Sequence, residues 1–368
     1  MRYAKVLLVV TRCATALAAF VPRSQHSEET SVLEVTLFSS TTGVAAELVA
    51  TIKNTGATDL NLLKVGTLLD EALPVQKLSV ADESGVQVSF KGIHTSIQPD
   101  ALKPEHFRLL KASESIDVVI SAAALHDFTK SGIYTFSATG LMPVAQAGST
   151  ELAGPAISFS SNTISIDVDA GLAAAVTKAI TFKGLQERTN IRDGCNTTEL
   201  AASTLALSNC ESLALAAAAD AADPSSARFV EYFGTNSSET RQIVHDRLTA
   251  AAKECSTTDS GISTYYCYDY YRVCEIDGPL NAYTAWDMDI VVMCPLFYNT
   301  LPPLPPACHK QSQATTTIHE MTHCEEVYSP HTNDYVYGYN ESVALPPERS
   351  LNNADNYSLY AGAVHLKC

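Results

Sequence analysis

Nine of the ten cysteines lie between Cys195 and Cys368, and only Cys13 precedes them. A chain of 368 residues is long enough for about two domains. The cysteines say where they divide. A cysteine-free stretch must hold itself by an ordinary core, while the rest is equipped for disulfides in an oxidising compartment. Charge divides at the same place. From Thr189 onward 22 acidic and 9 basic residues leave a net charge of −13, whereas the 18 acidic and 15 basic residues before it leave −3. The acidity argues against a nucleic-acid partner and would attract cationic ones.

The boundary segment Lys183–Arg192 is polar and basic but has no dibasic pair. Cleavage after Arg188 or Arg192 would release a chain of about 180 residues, a normal single-domain size. At the amino terminus, Arg2 and Lys5 precede the apolar run Val6–Val10, and Ala16-Leu17-Ala18 offers a small-residue cleavage site. This pattern predicts a secretory leader over residues 1–19, a region of residues 20–188, and a second domain over 189–368. The leader's apolar run is too short to span a bilayer, and no later segment reads as a span, so the expectation is a secreted protein with no membrane partner.

Residues 30–168 read as β-rich. Runs 31–38, 85–90, 116–120 and 132–137 alternate apolar and polar residues and are separated by Asn-Thr-Gly, Glu-Ser-Gly and Lys-Ser-Gly turns, which suggests a small sandwich. His94, His106 and His126 are scattered through it and read as ordinary histidines. After the boundary the pattern turns helical. Thr198–Ala222 is rich in Ala and Leu and stops at Asp223-Pro224, and Ser238-Glu239-Thr240 opens a second helix running to Lys253. Tyr-rich strands follow from Gly261, and the strand near Asp289–Val292 is a candidate edge for an extended peptide. Leu301–Pro306 reads as a rigid bend. The fold class is therefore α+β, with a β-sandwich-like first region and a mainly helical second one carrying a small antiparallel sheet.

Chemistry concentrates in Thr317-Ile318-His319-Glu320-Met321-Thr322-His323. Four residues are about one helical turn, so His319 and His323 project from one face and can share a zinc ion. Glu320 lies beside them, placed to take a proton from the attacking water. A zinc hydrolase needs a third protein ligand. His331, Asp334, eleven residues past His323, and Glu341, eighteen past it, all compete for that place. The metzincin continuation is absent, because Glu326 and Ser329 stand where its Gly and His would be.

His319-Glu320-Met321-Thr322-His323 followed by Thr332-Asn333-Asp334-Tyr335-Val336-Tyr337-Gly338-Tyr339 resembles the deuterolysin family of fungal secreted zinc endopeptidases, the aspzincins. Their second motif, G-T-x-D-x-x-Y-G, is matched at Thr332, Asp334, Tyr337 and Gly338, with His331 in place of its Gly. The resemblance implies one Zn²⁺ per chain held by His319, His323 and Asp334. It also implies that Tyr337 donates a hydrogen bond to the tetrahedral intermediate. It covers residues 195–368 firmly and the earlier region more loosely, where it implies a propeptide that assists folding and keeps a zymogen latent. With no cysteine there, a thiolate cannot block the metal, which leaves a carboxylate, a histidine or steric occlusion.

Family spacing implies disulfides Cys195–Cys267, Cys274–Cys294 and Cys308–Cys368. Cys210 and Cys255 lie on the two expected helices as a candidate fourth pair, and Cys324 is left as a buried free thiol. Asn196, Asn236, Asn340 and Asn356 are N-glycosylation acceptors. The function expected is a secreted, monomeric zinc endopeptidase acting on protein or peptide substrates, with the preference for basic proteins such as protamine and histones that the resemblance implies. Its rival is a secreted, disulfide-rich zinc-binding protein without catalysis.

Overall fold

The computed structural model describes residues 31–41, 45–182, 191–276 and 278–368. The expected leader and the expected cleavage point at Arg188 lie outside the described residues. Arg192, the other expected point, is fixed by its N–H to Tyr265 O at 2.8 Å. Ser31–Cys368 form one compact unit, with β structure dominating before residue 183 and helix after 191.

In the first part, strand Leu33–Ser39 pairs antiparallel with Glu47–Asn54, whose other edge pairs with Ser115–Ser121. Side chains alternate across a pleat, so Leu33, Val35 and Leu37, then Leu48, Ala50 and Ile52, then Val118 and Ile120 point to one buried face. A second sheet has Gly132–Ser137 between Ile164–Val168 and Ser79–Ala81. Its Tyr134 and Phe136 join the same core cluster. Residues 85–90, expected as a strand, make only isolated bridges. The Asp82 carboxylate accepts from the N–H groups of Ser84 and Val86, and Gly85 takes φ +84°, so the local side-chain hydrogen bonds form a turn in place of a ladder.

The second part is organised by helix Thr197–Ala222. Asn196 caps it reciprocally with Glu199. Its buried residues Ser203, Ala206, Leu207, Cys210, Leu213, Ala214, Ala217, Ala218 and Ala221 form one stripe at helical spacing. By length and composition this helix would pass for a membrane span, which corrects the sequence reading that no later segment would. Its stripe packs on helix Ser238–Cys255, and the Cys210–Cys255 disulfide ties the two together. Cys195–Cys267, Cys274–Cys294 and Cys308–Cys368 are also bonded. The last closes a separation of 60 residues, a constraint worth about 4 kcal/mol in the chain-entropy account. It fastens the carboxyl terminus to the segment entering the motif helix.

Helix Gln313–His323 carries the motif and is buried along its whole length. Thr315, Thr316 and Thr317 are poor helix formers, so packing holds this segment helical. The helices Thr197–Ala222 and Ala354–Leu366 flank it, and strand Leu280–Ala285 lies against it. Ser312 starts it with a reciprocal cap to Thr315, and the Thr317 hydroxyl bonds back to Gln313 O.

A four-stranded sheet sits beside this helix in the order Thr264–Tyr266, Ile290–Met293, Leu280–Ala285, His94–Ile97. The first pair is parallel and the others antiparallel. Ile290–Met293, expected to offer an edge, is an interior strand. Its unbroken apolar run is what a strand buried on both faces requires. The edge belongs to Leu280–Ala285, and the strand that covers it comes from the β-rich first part.

Candidate metal centre

His319 and His323 project from one face of the motif helix toward Asp334. His319 Nε2 lies 3.1 Å and His323 Nε2 3.2 Å from Asp334 Oδ1. Donors on a tetrahedral zinc at about 2.0–2.1 Å are separated by about 3.3 Å, so this spacing fits a shared ion. His319 Nε2, His323 Nε2, Asp334 Oδ1 and Glu320 Oε1 are all buried without a hydrogen-bond partner among the described residues. Orphaned polar atoms converging in one place are costly and fit a bound cation.

Each donor is aimed from behind. The Asp355 carboxylate accepts the Nδ1–H of His319 at 2.9 Å, and Thr332 O accepts the Nδ1–H of His323 at 2.9 Å. Both leave Nε2 free with its lone pair forward. Asp355 also accepts the N–H of Gly338 at 2.7 Å, where the chain takes φ +82°. The Gly that closes the second motif therefore permits the turn that carries Tyr337 back to the site. Burial pushes the Asp334 carboxyl up, but the flanking imidazoles of His323 and His319 outweigh it and hold the group well below the usual carboxylate range.

Glu320 is fully buried, and its Oε2 accepts from the Thr284 hydroxyl at 2.7 Å. Burial raises its carboxyl to about 7, a value suited to accepting and returning a proton near neutral pH. Tyr337 is buried with its ring 6.4 Å from that of His319. Its hydroxyl donates to Thr95 O at 3.0 Å.

The competing third ligands stand elsewhere. His331 is bonded to Glu325 at 2.7 Å and stacked on Trp286 at 4.2 Å between centroids. Glu341 is buried on helix Tyr339–Ala344, and its carboxylate makes no hydrogen bond to the histidines of the motif. Cys324 is buried, and its thiol donates to Glu320 O at 3.8 Å. Burial pushes it well above the usual thiol range. Of the glycosylation acceptors, Asn196, Asn236 and Asn340 are exposed. Asn356 has no exposed surface, and its side chain donates to Tyr232 O and Ser342 O. A glycan at Asn356 is incompatible with this packing, which corrects that expectation.

His94, an ordinary histidine on the sequence reading, lies against His323 and Asp334. Its ring stacks on His323 at 4.6 Å, and ligand atoms of His94, His323 and Asp334 lie within 4.8 Å of one another. His94, Thr284 and Asp355 carry no local sequence signal. The one available hint was that a histidine in the first region remained among the three ways of blocking a metal.

The chain matches the model of the deuterolysin metalloprotease (M35) family over residues 5–368. It is 44% identical over 366 residues to a neutral protease 2 homolog of Botryotinia fuckeliana, covering 100% of this chain and 99% of that protein. A neutral protease 2 homolog of Sclerotinia sclerotiorum is 45% identical over 341 residues, covering 93% of this chain and 92% of that protein. A solved zinc peptidase from Grifola frondosa matches with 20% identity and a TM-score of 0.38, over 46% of this chain and 97% of that one.

Proposed function

The chain belongs to the deuterolysin metalloprotease (M35) family and is a zinc metalloendopeptidase, and on that premise we propose a role for each residue of its site. His319, His323 and Asp334 hold one zinc ion per chain. When bound, zinc supplies Lewis acidity to the attacking water and the scissile carbonyl. Glu320 takes the proton from that water and passes it to the leaving amine. The Thr284 hydroxyl fixes one oxygen of Glu320 and leaves the other free for the transfer. Tyr337 donates to the carbonyl oxygen as it gains charge. The observation that carries this reading is the orphaned Glu320 Oε1 beside three convergent, orphaned donor atoms on buried elements.

The protein is made as a secreted zymogen, with residues 1–19 as leader, 20–188 as a sandwich-like propeptide and 189–368 as the catalytic domain. Four disulfides among the described residues, all from Cys195 onward, support an oxidising destination. The net charge of −13 from Thr189 onward supports a preference for basic substrates. Membership of a protease family displaces the non-catalytic zinc-binding alternative.

The test is hydrolysis of protamine and of an acidic protein of similar length by the processed chain, with and without a chelator and then with zinc returned. Activity lost to chelator, restored by zinc and at least several-fold greater on protamine is the expected result. Equal rates on the two substrates would remove the charge argument. No hydrolysis by a zinc-loaded, processed chain would overturn the assignment of roles.

A further inference from the structure

We propose that in the uncleaved chain His94 is a fourth protein ligand of the metal, delivered by a strand that lies in the peptide-binding cleft as a substrate would. This rests on the ligand set and zymogen reading above.

Strand His94–Ile97 adds antiparallel to Leu280–Ala285, pairing His94 with Thr284, Thr95 with Tyr283, Ser96 with Ala282 and Ile97 with Leu280. Strand addition to a free sheet edge is a general way of holding an extended peptide. All four residues are buried. The backbone then engages the reacting groups. Thr95 N–H donates to Asp334 Oδ2 at 2.7 Å, and Thr95 O accepts from the Tyr337 hydroxyl at 3.0 Å. The Thr95 carbonyl thus takes the hydrogen bond reserved for a scissile carbonyl.

His94 is what distinguishes this strand from a substrate. Its ring is stacked on the His323 imidazole, its Nδ1 is 3.8 Å from Asp334 Oδ2, and its Nε2 is buried with no partner among the described residues. A buried, unsatisfied ring nitrogen costs on the order of 1–3 kcal/mol, which a metal bond would remove. An imidazole in the fourth position keeps out the attacking water, so Glu320 has no proton to take and the Thr95–Ser96 bond survives.

The strand is held at both ends. Lys91 pairs with Asp287 at 2.6 Å before it. After it, Gln311 Nε2 donates to Ile97 O at 3.0 Å and Gln98 N–H to Pro279 O at 2.8 Å. The opening beside Asp334, a cavity of about 230 Å³, is lined largely by the first part of the chain, including Gly66, Thr67, His94 and Thr95. Cleavage in the linker, followed by release of this strand, frees the edge and exchanges His94 for water.

The experiment uses the full chain carrying Glu320→Gln to prevent self-cleavage, loaded with Co²⁺. X-ray absorption on this chain is expected to count three imidazoles, falling to two once the first part is cleaved and removed. Two imidazoles in the uncleaved chain would overturn the proposal without any change at His94. Adding His94→Ala is expected to keep one metal per chain, alter the visible Co²⁺ spectrum and speed metal loss to a chelator at least tenfold. Unchanged spectrum and loss rate would also overturn it. If full chains with His319→Ala or Asp334→Ala keep stoichiometric metal, the underlying ligand set is wrong and the proposal falls with it. That outcome is distinct from one in which only the His94 arms fail.

Discussion

Asp355 Oδ1 receives the Nδ1–H of His319 at 2.9 Å, while Oδ2 of the same carboxylate receives the N–H of Gly338 at 2.7 Å. One buried carboxylate thus orients His319, a proposed metal ligand, on one helix and fixes the turn that places Tyr337. Such outer partners set the tautomer of a ligating histidine and raise its basicity. Asp355→Asn is expected to weaken metal binding roughly 10- to 100-fold and to reduce turnover even when metal is saturating. Competition titration against a chromophoric chelator reads the first effect, and kcat at excess zinc reads the second.

Gly338 supplies an independent test of that turn. A Cβ at Gly338 would meet no atom of the described residues within 4 Å, but its φ of +82° is unfavourable for any L side chain. Gly338→Ala is therefore expected to cost about 1–2 kcal/mol through the backbone alone, with no steric contribution. The urea midpoint of the processed chain would fall, and kcat would fall further than KM changes, because Tyr337 precedes the strained residue.

Glu320→Gln separates chemistry from binding. The amide can still accept from Thr284 but cannot hold the transferred proton. The processed variant is expected to bind zinc at the same stoichiometry and to lose roughly 10²–10⁴-fold in kcat, the usual contribution of general acid–base catalysis. Full activity in a chain verified by mass to carry Gln would sink the mechanism.

Local spacing made the first half of this site legible. His319, Glu320 and His323 follow from helical geometry alone, and Asp334 and Tyr337 from the resemblance of Thr332–Gly338 to a family motif that begins nine residues past His323. The remaining residues come from afar. Thr95 and Asp334 are 239 positions apart, and His319 and Asp355 are 36 apart. No periodicity links such pairs; only the fold does. The expected sheet edge near Asp289–Val292 is also elsewhere. Ile290–Met293 is a continuous apolar run, which is the mark of an interior strand. The strand that His94–Ile97 covers is Leu280–Ala285, with Asn281 and Thr284 among its residues.

His126 predicts how the uncleaved chain responds to acid. It is buried beside Phe90, and its Nδ1–H donates to Ala122 O at 3.2 Å. Burial, helped by the charge of Lys178, lowers it to about 4, against the opposing effects of Ala122 O and Asp127. Unfolded, it would titrate near the ordinary value of 6.5. The folded pKa is the lower one, so the unfolded state binds the proton more readily. Its contribution is fully present above pH 6.5, is lost as pH falls toward 4, and reaches a loss of up to about 3 kcal/mol below that. His126→Leu removes the titrating group while sacrificing one hydrogen bond. In a Glu320→Gln background, the variant is expected to be less stable than the parent at pH 7.5 and to close that gap by pH 4.5. Urea midpoints at the two pH values measure it. A gap that stays constant would show that His126 does not carry the acid sensitivity of this part of the chain.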